Sequence, residues 1–198
     1  MLSFPEETDT SYMRVFPKKP LNLQAFTLCM RVATALSSSR ETILFAFRTP
    51  QSDELNVWQE YEKFSLYLRS SRDAVMFTLP PLSDLYTHLC VTWESSTGST
   101  VFWRNGNNSL RKIYKRGHRV NPDGGIVLGQ DPDSYLWGFD KSQSFVGEIT
   151  DVHMWDSVLT ASQIKQLYEK QSNAPSGNVI NWNSVHGRIY GNVGVVDV

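Results

Sequence analysis

The sequence is informative first in what is missing from it. It contains no Gly-x-Ser-x-Gly elbow, no His-Glu-x-x-His and no Cys-x-x-Cys, so common signatures of serine hydrolases, zinc proteases and thiol redox proteins are absent. Four histidines, His88, His118, His153 and His186, are scattered without the spacing of metal ligands. No stretch approaches the ~18 consecutive apolar residues of a membrane-spanning helix. Charge of one sign is also lacking: the formal net charge is −1, which offers no global attraction for nucleic acid or an anionic membrane. Residues 1–7 show no basic-then-apolar leader, so a signal peptide is either removed or never existed. Cysteine is scarce, with Cys29 and Cys90 alone.

What is present reads as β-structure. Runs rich in Val, Ile, Phe, Tyr, Trp and Thr occur at 26–32, 43–47, 55–58, 64–68, 75–79, 88–93, 100–104, 126–128 and 148–155. Clusters of Ser, Pro, Asn and Gly separate them, and Asn105-Gly106 after Val101-Phe102-Trp103 predicts a tight hairpin. Many short strands with regular turns imply an all-β sandwich or barrel, and with no repeat or linker in 198 residues the expectation is one domain. One helix is expected at about 161–170. Thr160 and Gln163 form a capping box, Leu159 and Ile164 a hydrophobic staple, and Ile164, Leu167 and Tyr168 an apolar stripe.

Strand alternation places Phe26, Leu28, Met30 and Val32 on one face and Cys29 on the other with Thr27 and Arg31. Cys90 likewise falls with His88 and Thr92. Both sulfurs can therefore share one face of paired strands. A bridge would close a loop worth roughly 4 kcal/mol by chain entropy and would point to an oxidising compartment; two buried free thiols are the alternative. Asn107-Asn108-Ser109 is a possible glycosylation sequon.

The richest stretch for chemistry is the loop over 129–144. Asp131, Asp133 and Asp140 face only Lys141 in charge, and Gln143 adds an amide oxygen. Clustered carboxylates need compensation, and an all-oxygen set suits Ca²⁺; a solvated acidic loop is the plainer reading. Asn56, Trp58 and Tyr67 fall on the phase opposite the apolar one in their strands. They are expected on an outer face, where aromatics can wall a ligand unless another element covers them. The basic run over 111–119 could attract polyanions or serve as a solvated sheet edge. Glu148 and Asp151 are the obvious pair for a jelly-roll glycoside hydrolase, but their odd spacing puts them on opposite faces of a regular strand.

His88-Leu89-Cys90-Val91-Thr92-Trp93-Glu94-Ser95 fits the motif H-x-C-x-[ST]-W-x-[ST] at every specified position, and the chain resembles the short pentraxin family over nearly its whole length. Phe4-Pro5, Asp9-Thr10-Ser11-Tyr12, Leu128-Gly129-Gln130 and the segment from Ser142 to Asp156 carry the rest of that likeness. The resemblance implies a two-sheet antiparallel jelly-roll sandwich spanning 1–198, with one long helix on the face opposite a double calcium site. It implies a Cys29–Cys90 disulfide, secretion, cyclic homo-oligomers (usually pentamers) and an innate-immune, acute-phase, non-enzymatic role. By position it implies metal ligation by Asp53, Asp131, the Pro132 carbonyl, Asp133, Asp140 and Gln143, with Ser52 standing where the family has a second ligand. Four carboxylates then balance two Ca²⁺ ions. Asn56, Trp58 and Tyr67 fall at ligand-pocket positions, and Asp73 is nearest to the family's contact for a choline ammonium. The implied ligands are phosphorylated head groups, phosphocholine or phosphoethanolamine in type, or anionic glycans. Complement is an implied partner near Asn105 and Tyr168. A laminin G-like adhesion module is the alternative binding role.

Overall fold

A computed structural model describes residues 1–197. Two antiparallel sheets pack face to face. The first runs in the order Asn107–Asn108, Ser99–Arg104, Thr87–Glu94, Ala25–Ala33, Gly147–Trp155, Leu2–Phe4 and Gly194–Val195, with Lys112–Ile113 also on Ser99–Arg104. The second runs His186–Tyr190, Tyr12–Phe16, Gly125–Leu128, Thr42–Arg48, Asp53–Glu60, Lys63–Leu68 and Ala74–Phe77. Hairpin neighbours alternate with pairs far apart in sequence, such as Ala25–Ala33 beside Gly147–Trp155 and Tyr12–Phe16 beside Gly125–Leu128, as the jelly-roll expectation requires. Met1 and Val196 meet at the edge of the first sheet: the Met1 amino group donates to the Val196 carbonyl and the Val196 N–H donates back to the Met1 carbonyl.

Alternation explains the main core. Phe26, Leu28, Met30 and Val32 from the first sheet meet Phe45, Phe47, Leu55, Val57, Phe64 and Leu66 from the second, all buried. Fully burying one such side chain is worth roughly 1.5–3 kcal/mol. Asn105 and Gly106 take φ of 50° and 79°, the left-handed pair that the predicted hairpin needs.

On the outer face of the first sheet lies a second, smaller core. Cys29 and Cys90 are cross-strand partners joined by a disulfide. With Val101, Trp103 and Trp155 they form the floor on which Leu159, Ile164 and Leu167 rest. The disulfide therefore underlies the helix.

That helix is shorter than expected, spanning Ala161–Tyr168. Its start matches the reading: Thr160 accepts from the Gln163 N–H and Gln163 accepts from the Thr160 N–H. Its end carries no sequence signal. Lys170 adopts a left-handed φ of 54°, and the Lys170 and Gln171 N–H groups turn back to the Leu167 and Gln166 carbonyls, a Schellman closure made without glycine. Arg31, from the sheet below, donates to the Leu167 and Tyr168 carbonyls at 3.0 and 2.7 Å.

Glu148 and Asp151 do not lie on one regular strand. The pairing of Gly147–Trp155 slips between Thr150 and His153, and Asp151 has φ 53°, so face parity is broken there. The two carboxylates nevertheless serve different partners: Glu148 accepts from the Tyr86 hydroxyl, and Asp151 pairs with Arg31 at 3.1 Å and Lys170 at 3.7 Å.

Candidate functional site

The outer face of the second sheet carries a row of partnered residues. Ala46 stands opposite Asn56, and Asn56 opposite Tyr67. The 129–144 segment folds over this row. It is not a plain loop: Pro132–Ser134 and Trp137–Phe139 pair as a small hairpin. Leu136 and Phe139 of the hairpin pack on Ile43, Ala46, Trp58 and Val127, and Phe139 also meets Tyr12, 4.8 Å between ring centres. Trp58 is consequently only 6% exposed and Tyr67 half-buried. The expected outer-face aromatics thus lie under a cover, because the hairpin brings its own apolar residues down on them.

One side of the hairpin leaves a cavity of about 160 Å³, lined by Glu41, Asp53, Asn56, Trp58, Glu60, Tyr67, Ser70, Ser71, Asp131, Asp133 and Gln143. Asn56 ties its floor to its wall. The Asn56 amide donates to Asp131 Oδ1 at 2.9 Å, and its oxygen accepts from the Phe47 N–H at 3.3 Å. Asp131 is 6% exposed. Burial first, and then the Asp53 and Asp133 carboxylates, push its pKa up to about 7, against the opposing pull of Arg48 and Asn56. Arg48 donates to Asp53 at 2.5 Å, yet burial still raises the Asp53 pKa above the ordinary range. This is negative charge gathered in a place that disfavours it.

The structure thus brings Asp53, Asp131, Asp133 and Gln143 together with Asn56, Trp58 and Tyr67. It sets two expected ligands off the cavity wall. Pro132 is held in the hairpin opposite Phe139. Asp140 is exposed and caps the turn Lys141–Gln143, accepting from the Ser142 N–H and hydroxyl at 2.8 and 2.7 Å, bonds that lower its pKa. Ser52 turns away, donating to Glu54 at 3.2 Å. Asp73 lies off the wall as well, paired with Lys115 at 3.0 Å. Among the described residues no three of the cavity's carboxylates offer oxygens all within 4.8 Å of one another; the trio that meets this spacing is Cys29, His88 and Cys90, whose sulfurs the disulfide consumes.

Two acidic residues on the wall escaped the sequence reading. Glu41 accepts from the Tyr61 hydroxyl and, at 3.1 Å, from Gln143. Glu60 accepts from the Tyr67 hydroxyl at 2.8 Å. Glu60 had a usable signal, since it follows Asn56 and Trp58 in the same strand phase. Glu41 had none, lying 102 residues from its partner Gln143.

The basic run is largely tethered. Lys112 donates to the Met76 carbonyl, Lys115 meets Asp73, Arg116 donates to the Ser96 carbonyl, and Arg119 to Asn22. It stitches an edge together and presents no open cationic stripe.

The sequence profile of the Pentaxin family matches residues 1–196. The chain is a pentraxin. Among its relatives, a C-reactive protein of Danio rerio is 55% identical over 194 residues, covering 98% of this chain and 86% of that one. A human C-reactive protein is 37% identical, covering 96% and 84%, and a rat serum amyloid P-component is 37% identical, covering 96% and 82%. Among solved structures, this pentraxin is similar to a heptameric SAP-like pentraxin from Limulus polyphemus, with TM-score 0.83, 22% identity, and coverage of 97% and 92%. At that identity the likeness speaks for the fold, which is the same sandwich. Among the described residues no helix of this pentraxin is long and apolar enough to cross a membrane.

Proposed function

We propose that this pentraxin is a secreted, calcium-dependent recognition protein of innate immunity, built as one domain, that binds phosphorylated head groups or anionic glycans and performs no turnover. The observation that carries the reading is Asp131, buried between Asp53 and Asp133 with Arg48 opposing them. A buried carboxylate among other oxygen ligands suits a hard divalent cation such as Ca²⁺ better than the softer metals that prefer thiolate or imidazole.

Asp53, Asp131, Asp133 and Gln143 would hold Ca²⁺ from the cavity wall. The Pro132 carbonyl and Asp140, on the strand and turn flanking it, would join after a modest shift of the exposed hairpin. The charge of Asp53, Asp131, Asp133 and Asp140 favours two ions. When bound, Ca²⁺ supplies open coordination positions for an anionic oxygen. Asn56 orients Asp131, Arg48 holds Asp53, and Trp58 and Tyr67 form the apolar side of the pocket that receives what the anion is attached to. A cyclic homo-oligomer, a pentamer by family expectation, would multiply a weak site into useful avidity without new contacts. Complement is the proposed partner on the helix face, where Tyr168 lies beside the Asn105-Gly106 turn.

The test is retention on a phosphate-bearing matrix in millimolar Ca²⁺. EDTA should release the protein, and Asp133→Ala should prevent its capture. Capture that survives both changes would sink the calcium mechanism.

A further inference from the structure

The outer face of the second sheet carries another feature, in line with the cavity but beyond it. One cross-strand row runs Tyr67, Asn56, Ala46, Val127, Arg14 and Arg188, each residue the register partner of the next. Asn56 holds Asp131 in one half of that row, and two arginines stand side by side at its other end. Like charges directly opposite each other in a strand pair are destabilising unless something offsets them. Among the described residues neither guanidinium meets a carboxylate or donates to a protein acceptor. Arg14 lies over the Phe16 ring, 5.0 Å from its centre. His186, the register partner of Phe16, is exposed two residues before Arg188. Protection of a sheet edge against pairing accounts for charge on His186–Tyr190, the outermost strand. It does not account for Arg14, which lies one strand in.

We propose that Arg14 and Arg188 form a second anion subsite, which takes one sulfate of an extended sulfated glycan while the calcium centre holds another. The arginine end needs no metal; the calcium end rests on the reading above. Paired guanidinium forks match the oxygens of a sulfate and would relieve the repulsion between them. Adjacent strands are ~4.8 Å apart, so Arg14 and Arg188 stand roughly 14 and 19 Å from Asn56 along the row. Over the gap lies the hairpin. Its Leu136 and Phe139 pack down on Ala46 and Val127, while its Trp137 is 67% exposed. A ligand that bridges the gap must therefore carry separated charges and an uncharged, partly apolar stretch between them. A glycan sulfated on alternate sugars meets that need, and an unsulfated ring can lay its C–H face on the indole. A nucleic acid, with a phosphate about every 3.4 Å along each strand of a duplex, would lay unpaired charges across the apolar cover.

Calorimetric titration of the intact protein, in millimolar Ca²⁺ and in EDTA, tests this with three probes: a keratan sulfate hexasaccharide bearing one sulfate per disaccharide, its desulfated form, and ethyl phosphate. In Ca²⁺ the parent should bind the sulfated hexasaccharide at least about tenfold more tightly than ethyl phosphate, because the first contact makes the second intramolecular. In EDTA it should keep a weaker, salt-sensitive affinity for the sulfated hexasaccharide and none for the desulfated one. Arg14→Gln/Arg188→Gln should abolish binding in EDTA and lower it in Ca²⁺ by at least about tenfold. The same variant should bind ethyl phosphate within about twofold of the parent, which also shows that it is folded. A hexasaccharide affinity that survives the double variant overturns the proposal. So does an equal loss in Arg111→Gln/Arg116→Gln, a charge-matched change beside the first sheet, since net charge alone would then be responsible. Loss of ethyl phosphate binding in the first variant overturns it as well, because the arginines would then act on the metal centre or the fold. Equal, arginine-dependent binding of a single-stranded dodecanucleotide overturns the choice of a glycan. Arginine-dependent capture of the hexasaccharide by a parent that never binds ethyl phosphate removes the calcium reading alone, whereas calcium-dependent ethyl phosphate binding with no arginine-dependent gain removes this inference alone.

Discussion

If Asp131 ligates Ca²⁺ as proposed, protons and the metal compete for the same oxygens. Burial and the Asp53 and Asp133 carboxylates push the Asp131 pKa up to about 7, so it is largely protonated below that pH and would have to lose its proton for metal to enter. Calcium affinity should therefore rise by about tenfold between roughly pH 6 and 8. Asp131→Asn should bind weakly at both and show a flat profile, which titration calorimetry at the two pH values would read out. His88 supplies a second pH signature. Burial, with Arg31 adding to it, lowers its pKa to about 3 from 6.5. A depressed folded pKa means stability that is complete above the unfolded value and drains as pH falls from 6.5 toward 3. Thermal unfolding of His88→Gln should accordingly lose less Tm between about pH 7 and 5 than the parent. At this scale the sequence made the acidic loop legible, because Asp131 and Asp133 sit two apart with little positive charge beside them. It hid how deeply Asp131 is buried and which of its neighbours face inward, since both depend on a strand some 75 residues away that supplies Asn56.

The elements were legible where periodicity is strong and local. All nine expected strands exist, with ends shifted by a residue or two. Those missed are short or lean on distant partners: Tyr12–Phe16 and His186–Tyr190 pair with each other across the length of the chain, Leu2–Phe4 and Gly194–Val195 pair at the first sheet's edge, and the hairpin over 132–139 is held by tertiary packing. The helix shows the contrast within one element. Its capping box was written in Thr160 and Gln163, whereas its stop at Lys170 uses a left-handed residue that no glycine announced. Thr160→Ala removes the acceptor for the Gln163 N–H and should cost about 1 kcal/mol in denaturant unfolding. Ile164→Ala, in the small core above the disulfide, should cost about 2–5 kcal/mol, and a loss below about 1 kcal/mol would mean that the helix contributes little to the cooperative unit.

For the molecule as a whole, the strongest restraint outside the core is the disulfide, which links residues 61 apart. Replacing both cysteines by Ala should lower unfolding free energy by roughly 4 kcal/mol on the chain-entropy estimate, measured by equilibrium denaturation of parent and variant. Ca²⁺ should act in the opposite sense. A ligand that binds only the folded form raises Tm, and the increase should be lost in Asp133→Ala. The sandwich itself was readable from alternation alone, since the same residues that alternate in sequence fill the space between the sheets. The cover over Trp58 was not, because nothing in a strand's own pattern tells what Leu136 and Phe139, far along the chain, will lay across it.

The clasp between Met1 and Val196 joins segments 195 residues apart in the sheet that does not carry the cavity. Hydrogen exchange at the Val196 amide should therefore read the fraying of that edge, and loading the pocket with Ca²⁺ should leave its rate unchanged.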